Sequence, residues 1–309
     1  MQIAIGTGPD VSQTIARCRE LDVTNVFLNG PSFPGVQKTG VPEASAVSES
    51  VARLRSEGLA VSSASWWLGR YPARPWRQGS SDPSFLLDES SSVLAAELEA
   101  LRVFGDAGIR NLLHYVDIAL PDRPQDEGAV WNGLLRAYEQ IIPVAETNGL
   151  CIGNHSLHRL LPNGVRQKAL AEGITLADYG SYRAEGWGGP FLLDTWEALS
   201  VLVTEVDSPH NGITLCTGME FLGADLDAIA RRFADRIHFC QIRDHTGSWP
   251  EGVECPFGRG HLDIPSVVSL LRNVGYAGPV HPEHLGKPGP GEDPLADAVR
   301  LLRSMPSQS

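Results

Sequence analysis

No apolar run in this chain approaches the ~18 residues needed to span a bilayer, and none of its five cysteines forms a CxxC pair. The first absence argues against a membrane-spanning segment. The second argues against a disulfide framework. Cys18, Cys151, Cys216, Cys240 and Cys255 are odd in number and widely scattered, which points to reduced thiols. Basic residues are scarce: 25 Lys and Arg stand against 37 Asp and Glu, a formal net charge of −12. Such a chain is a poor partner for nucleic acid or an anionic membrane, although a local positive pocket for a small anion is compatible with it. The start, Met1-Gln2-Ile3-Ala4-Ile5-Gly6, carries no basic stretch and reads as a strand, so no export signal is expected there and a cytoplasmic protein is. Internal repeats and low-complexity linkers are also missing, so residues 1–309 are expected to form a single domain.

What is present is alternation. Short β-rich runs occur at Gln2–Gly6, Thr24–Asn29, Leu59–Ser65, Arg110–Tyr115, Leu150–Asn154, Gly212–Cys216, Arg236–Ile242 and Gly278–Glu283. Between them, apolar residues recur at three- and four-residue spacing, as in Val93, Leu94, Leu98, Leu101 and Phe104, or Val267, Val268, Leu270, Leu271 and Val274. Further helical segments are read over Trp131–Ile142, Trp196–Val203 and Leu295–Leu302. Eight such units fit either a (β/α)8 TIM barrel or a doubly wound sheet. Connections into strands are short and glycine-rich, whereas those leaving strands are long, notably at about 66–90, 155–189 and 244–261. Long loops on one face suit a barrel whose function sits at the C-terminal strand ends. The first turn, Gly6-Thr7-Gly8-Pro9-Asp10, is interrupted by Pro9 and does not read as a dinucleotide fingerprint. The expected fold is therefore α/β, a (β/α)8 TIM barrel.

Metal-competent residues cluster at the expected strand ends. The fifth strand finishes Asn154-His155 and the sixth Cys216-Thr217-Gly218. The seventh runs through His238, Cys240, Gln241 and Arg243, and the eighth ends His281-Pro282-Glu283-His284. Barrel strands converge, so imidazole, thiolate and carboxylate far apart in sequence can share one divalent ion. By strand parity His238, opposite to Gln241, should point away from the axis. One loop gathers Trp66, Trp67, Arg70, Tyr71, Arg74, Trp76 and Arg77, and another Tyr182, Arg183 and Trp187. Aromatic faces and guanidinium groups of this kind suit sugar stacking and anion capture, a lid, or contact with another subunit.

Asn211-Gly212-Ile213-Thr214-Leu215-Cys216-Thr217-Gly218 resembles the cysteine-bearing strand signature of mannonate dehydratases, and His281-Pro282-Glu283-His284 stands where that family has an Arg-Pro-Asp-His-Gly segment. More broadly, Asn154-His155, the Gly260-His261-Leu262-Asp263-Ile264-Pro265 segment, the Gly275–Pro279 turn and Glu283 are similar to the xylose-isomerase-like group of sugar isomerases and epimerases. The dehydratase resemblance implies a divalent metal, manganese first, with magnesium, iron(II) or cobalt(II) as substitutes. Its ligands would fall on His155, Cys216, Gln241 (where the family has a second His) and Glu283 (where it has Asp). The wider group's first Glu falls on Gly153.

The same resemblance implies dehydration of a sugar acid, D-mannonate to 2-keto-3-deoxy-D-gluconate plus water. His284 would be the acid/base group, and Arg243 would pair with the sugar carboxylate. His281, Trp67 and His261 are the expected substrate contacts. The expected partner is a small sugar acid or sugar. Nucleic acid and membrane are not expected, and a homo-oligomer is, by analogy with barrels of this group. Two other readings stay open: a metal-dependent sugar isomerase or epimerase working through an enediolate, and a carbohydrate-binding barrel without turnover.

Overall fold

Strands that carry apolar residues on both faces must be covered on both sides, and a closed ring of parallel strands inside a ring of helices does that. The computed structural model describes residues 2–7, 10–70, 81–88, 90–119, 126–155, 192–193, 195–247, 253–285 and 289–305. Its strands are β1 (Ala4–Gly6), β2 (Asn25–Asn29), β3 (Ala60–Trp67), β4 (Asn111–Tyr115), β5 (Cys151–His155), β6 (Asn211–Cys216), β7 (Ile237–Ile242) and β10 (Val280–Pro282), paired side by side in chain order. A parallel bridge between Ile3 and Val280, with Val280 N–H donating to the Gln2 carbonyl at 2.9 Å, brings the last strand back to the first. The result is a nearly closed (β/α)8 TIM barrel. All eight expected strands are there, with ends displaced by one or two residues. A short antiparallel hairpin, β8 (Asp244–Thr246) with β9 (Val253–Cys255), rises from the end of β7 and was not anticipated.

The strongly periodic segments form the helices Ser92–Asp106, Glu127–Thr147, Trp196–Glu205, Ile264–Asn273 and Pro294–Ser304. Three further helices, Val11–Leu21, Ala44–Ser56 and Leu226–Arg232, complete the alternation. Their stripes are narrow, so sequence periodicity is faint; Ala44–Ser56, for example, buries Val47, Val51 and Leu54. Capping marks two of them better. Asp10 accepts from Ser12 N–H at 2.8 Å, and Asp225 from Ala228 N–H at 3.0 Å. The turn that looked like a broken nucleotide loop thus ends in a helix cap. All five cysteines are free thiols. Among the described residues, no helix is long and apolar enough to cross a membrane.

Two-residue alternation sorts the strands into an inner and an outer face. Inside, Ala4, Phe27, Leu113 and Phe239 form one apolar layer, with the Phe27 and Phe239 rings edge to face at 5.5 Å. Two residues further along those strands come Gly6, Asn29, Tyr115 and Gln241. The barrel plug therefore turns polar one layer up, where the strands end.

Outside, a buried polar chain ties four strands to the helices. The Trp66 indole donates to Glu97 at 2.9 Å, and Glu97 meets His114 Nε2 at 3.0 Å. His114 Nδ1 lies 3.0 Å from the Tyr138 hydroxyl, which donates to Asn154. Asn154 in turn donates to Asn211 at 2.7 Å and to the Gly212 carbonyl at 2.9 Å. Each of Trp66, His114 and Asn154 immediately precedes an inward residue: Trp67, Tyr115 and His155. Trp66, read as the first loop residue, is instead the penultimate residue of β3 and is fully buried among the helices. Tyr71, Arg74, Trp76, Arg77, Tyr182, Arg183 and Trp187 lie outside the described residues, as do residues 71–80 and 89 of the first expected loop and 156–189 of the second.

The pairing of β6 with β7 slips by one residue between Ile213 and Thr214. This overturns the parity expectation for His238. Its ring packs where a Cβ on Gly212 would stand, 2.6 Å away, and its own Cβ lies 3.3 Å from one built on Gly153. Gly153 and Gly212 share the strand face of His155 and Cys216. His238 therefore sits low in the barrel, and height rather than direction keeps it from the strand-end cluster.

The polar chain gives a first test. Tyr138→Phe strands both His114 Nδ1 and the Asn154 carbonyl, so it is expected to lower stability by about 1–3 kcal/mol. Urea unfolding measures this, and an unchanged midpoint would count against the chain as a structural tie.

Candidate metal centre

His155 ends β5, Cys216 ends β6, and Glu283 follows β10 by one residue. Barrel closure gathers them: one ligand atom from each lies within 4.8 Å of the others, and all three side chains are buried. The Cys216 thiol donates to Glu283 Oε1 at 3.3 Å. Gln241, the inward residue near the end of β7, donates Nε2 to Glu283 Oε2 at 2.6 Å and reaches the Tyr115 hydroxyl at 3.4 Å. Its other amide atom, Oε1, is buried without a hydrogen-bond partner. A buried carbonyl oxygen left this way is unfavourable, and a cation would satisfy it. Imidazole, thiolate, carboxylate and amide oxygen together suit a divalent first-row ion. The residues present fit such an ion, with Gln241 offering a weaker donor than imidazole.

Position 153 adds nothing to this set. A Cβ there would meet Thr214 Oγ1 at 3.0 Å and the Leu112 carbonyl at 3.1 Å, tight contacts on both sides.

The Cys216-Thr217-Gly218 signature divides its labour. Cys216 supplies sulfur. The Thr217 hydroxyl clamps the Arg243 backbone, accepting from its N–H at 2.9 Å and donating to its carbonyl at 2.8 Å. Gly218 leaves room for the Arg243 guanidinium, since a Cβ there would lie 2.2 Å from Nε. Arg243 itself is buried. Its NH1 pairs with Glu254 Oε1 at 2.9 Å, and its Nε lies 3.6 Å from Glu283 Oε1. The expected ion pair of Arg243 is thus made with carboxylates of the protein. Burial opposes the guanidinium charge, but Cys216, Glu283 and Glu254 around it raise its pKa above the ordinary value. Burial pushes the Cys216 thiol up to about 12, against the pull of Arg243 and with help from Glu283. Without an ion, the sulfur is protonated at neutral pH.

His284 stands at the rim, about half exposed, with Nδ1 2.9 Å from Glu254 Oε2 and Nε2 3.9 Å from Glu283 Oε2. Its backbone is left-handed, φ +50°. A histidine held there is strained and needs surrounding contacts to keep it in place.

Aromatic rings wall the other side. Trp67 stacks on Tyr115 at 4.3 Å, Tyr115 tilts against His155 at 4.7 Å, and the Arg70 guanidinium lies 5.6 Å from the Trp67 ring centre. Burial, then the nearby Glu283 charge, raises the Tyr115 pKa and keeps the phenol neutral. A cavity of about 790 Å³ opens over the cluster; Trp67, Tyr115, Gln241, His281, Glu283 and His284 are part of its lining. His281 hydrogen-bonds the Ala4 carbonyl through Nδ1 at 3.1 Å and lies against Phe27. Burial lowers its pKa and favours the neutral ring.

His261 is placed elsewhere. It is exposed, accepts from Gly247 N–H at 3.2 Å, and is not part of that lining. Its segment is built for shape. Gly260 passes so close to Asp244 that a Cβ would lie 2.1 Å from Oδ1, and Asp263 caps the next helix by accepting from Ser266 N–H at 3.1 Å. Sequence reasoning missed Tyr115 and Glu254. Alternation from Leu113 would have found Tyr115; nothing local marks Glu254, whose place depends on the β8–β9 hairpin.

Fold and site define a class: a (β/α)8 barrel with a metal-competent cluster at the C-terminal ends of its strands. The chain belongs to the xylose isomerase-like TIM barrel family, whose model matches residues 15–305. Within it, a stretch of 106 residues is 37% identical to mannonate dehydratase 1 of Halalkalibacterium halodurans, covering 32% of this chain and 28% of that protein. The fold is similar to the crystal structure of a mannonate dehydratase from Streptococcus suis, with a TM-score of 0.70 and 16% identity over 99% of this chain and 93% of that one. It is also similar to a 3-keto-D-glucoside 4-epimerase from E. coli, with a TM-score of 0.66 and 15% identity over 99% of this chain and 98% of that one.

A thiol held protonated by burial must lose its proton to bind an ion. Binding of Mn2+ near pH 7.5 is therefore expected to release about one proton per ion and to tighten as pH rises. Calorimetry in two buffers of different ionisation enthalpy reads this directly. Cys216→Ser should weaken binding and abolish the release; equal binding and equal proton release in that variant would sink the sulfur as a ligand.

Proposed function

We propose that the chain is a metal-dependent sugar-acid dehydratase that resembles mannonate dehydratase and removes water from D-mannonate to give 2-keto-3-deoxy-D-gluconate. The observation that carries this reading is the buried convergence of His155, Cys216 and Glu283 at a cavity that Glu283 and His284 line, with Arg243 beside it. The similarity to a mannonate dehydratase over the stretch described supports it further. His155, Cys216, Glu283 and, more weakly, Gln241 would hold the ion. The ion, when bound, supplies Lewis-acid stabilisation of negative charge developing next to the substrate carboxylate.

The chain's own groups do the rest. His284 Nε2 takes the proton from the carbon beside the carboxylate. The electron pair left behind forms the new carbon–carbon double bond as the neighbouring carbon–oxygen bond breaks. The imidazolium returns its proton to the departing hydroxyl, which leaves as water, and the enol product becomes the 2-keto acid. Arg243, with Nε 3.6 Å from Glu283 Oε1, anchors that carboxylate through the cycle. Trp67 and Tyr115 wall the cavity and shield the cluster from bulk water, while neutral His281 offers the substrate a hydrogen bond from its side of the cavity.

Incubation of the Mn2+-loaded protein with D-mannonate is expected to give a keto-deoxy acid lighter by one water, detected by mass spectrometry. His284→Asn is expected to slow turnover by roughly 10²- to 10⁴-fold. A product of unchanged mass from a sugar acid or ketose would replace this reading with an isomerase or epimerase. A ligand-induced melting shift that survives chelator, with no product formed, would replace it with a binding protein.

A further inference from the structure

Glu254 sits on β9, away from the strand ends that form the metal cluster, yet both of its carboxylate oxygens are engaged there. Oε1 accepts from Arg243 NH1 at 2.9 Å, and Oε2 faces His284 Nδ1 at 2.9 Å. Its burial favours the neutral acid, but His284 and Arg243 outweigh that and hold its pKa below the usual range. An ionised carboxylate offers acceptors and no donor, so the hydrogen in the contact with His284 belongs to Nδ1. In the neutral ring Nε2 then carries the lone pair. Nε2 is also the nitrogen on the Glu283 side, 3.9 Å from its Oε2. The same bond restrains a residue whose backbone sits at φ +50°, where a histidine does not rest unaided. On the other side of Glu254, Thr217 and Gly218 fix the backbone and the guanidinium of Arg243. Glu254 is thus anchored by a rigid cation and anchors a strained imidazole.

We propose that Glu254 is a positioning residue, which fixes the tautomer and orientation of His284 so that Nε2 is presented to the cavity beside Glu283. For its consequence on turnover the proposal rests on the dehydratase reading; for the tautomer it rests on the geometry of the dyad.

The test uses the full chain, labelled with ¹⁵N-histidine, with and without Mg2+, above the pH at which the ring is neutral. The His284 signals are assigned by their loss in His284→Asn. The expected wild-type pattern is a protonated Nδ1 and a lone pair on Nε2. Glu254→Ala is expected to move His284 toward the Nε2–H form that free imidazole side chains favour. It is also expected to lower kcat on D-mannonate at least about tenfold while KM changes by less than about threefold. Glu254→Asp, which keeps the acceptor, should recover part of both effects, and it carries the comparison if the alanine variant fails to fold. An Nε2–H tautomer in the wild type, or a tautomer and kcat untouched by Glu254→Ala, overturns the proposal. A locked tautomer that Glu254→Ala releases, in a protein that dehydrates no sugar acid, supports the positioning role and overturns the dehydratase reading instead.

Discussion

The site depends on one geometric constraint: in a closed ring of parallel strands, every second residue faces the axis. Because β10 returns to β1 through Ile3 and Val280, the inward residues at the strand ends have nowhere to go but toward one another. Apolar inward residues low on the strands, Ala4, Phe27, Leu113 and Phe239, fill the centre. Polar inward residues one layer higher, Tyr115, His155, Cys216 and Gln241, then meet above that apolar layer. Glu283 joins them from just past β10. It touches Cys216 and Gln241 by hydrogen bonds and Arg243 by charge, so its carboxylate is where the ends of β6, β7 and β10 meet.

The outward residues hold that arrangement still. Trp66, His114 and Asn154 are linked through Glu97 and Tyr138 into a buried chain, and each is bonded to a neighbour that faces the site. A shift in the outer chain would rotate Trp67, Tyr115 and His155 together. The aromatic stack beside the cluster is therefore positioned from behind as well as by its own contacts. Electrostatics follows the same layering. A buried, protonated thiol, the buried Glu283 carboxylate and the partly buried Glu254 carboxylate gather around a single guanidinium.

The comparison with sequence-based expectation turns on particular residues. His155, Cys216 and Glu283 were visible because each follows a β-rich run and carries metal-competent chemistry. Gln241 was singled out only by the family resemblance, which puts it where the dehydratases have a second His. His238 was misjudged because the slip between β6 and β7 changes which residues face inward, and two glycines make room for its ring. His261 was expected to contact substrate, yet it is exposed outside the cavity lining, and its segment brings Gly260 against Asp244 and caps a helix. Arg243 was read as a substrate anchor, whereas its guanidinium is paired with Glu254 and near Glu283.

The sequence by itself determined the alternation of strands and helices, the loop asymmetry that favours a barrel, and the chemical identity of the groups at the strand ends. Those are local properties: side-chain period, turn residues and donor type. Tertiary structure alone decided which of those groups share a site, how high each sits along its strand, and what holds it there. Glu254 shows why. Its distances to Arg243 and His284 are set by a hairpin packed over the barrel mouth, and no spacing along the chain encodes a contact between residues 11 and 30 positions apart.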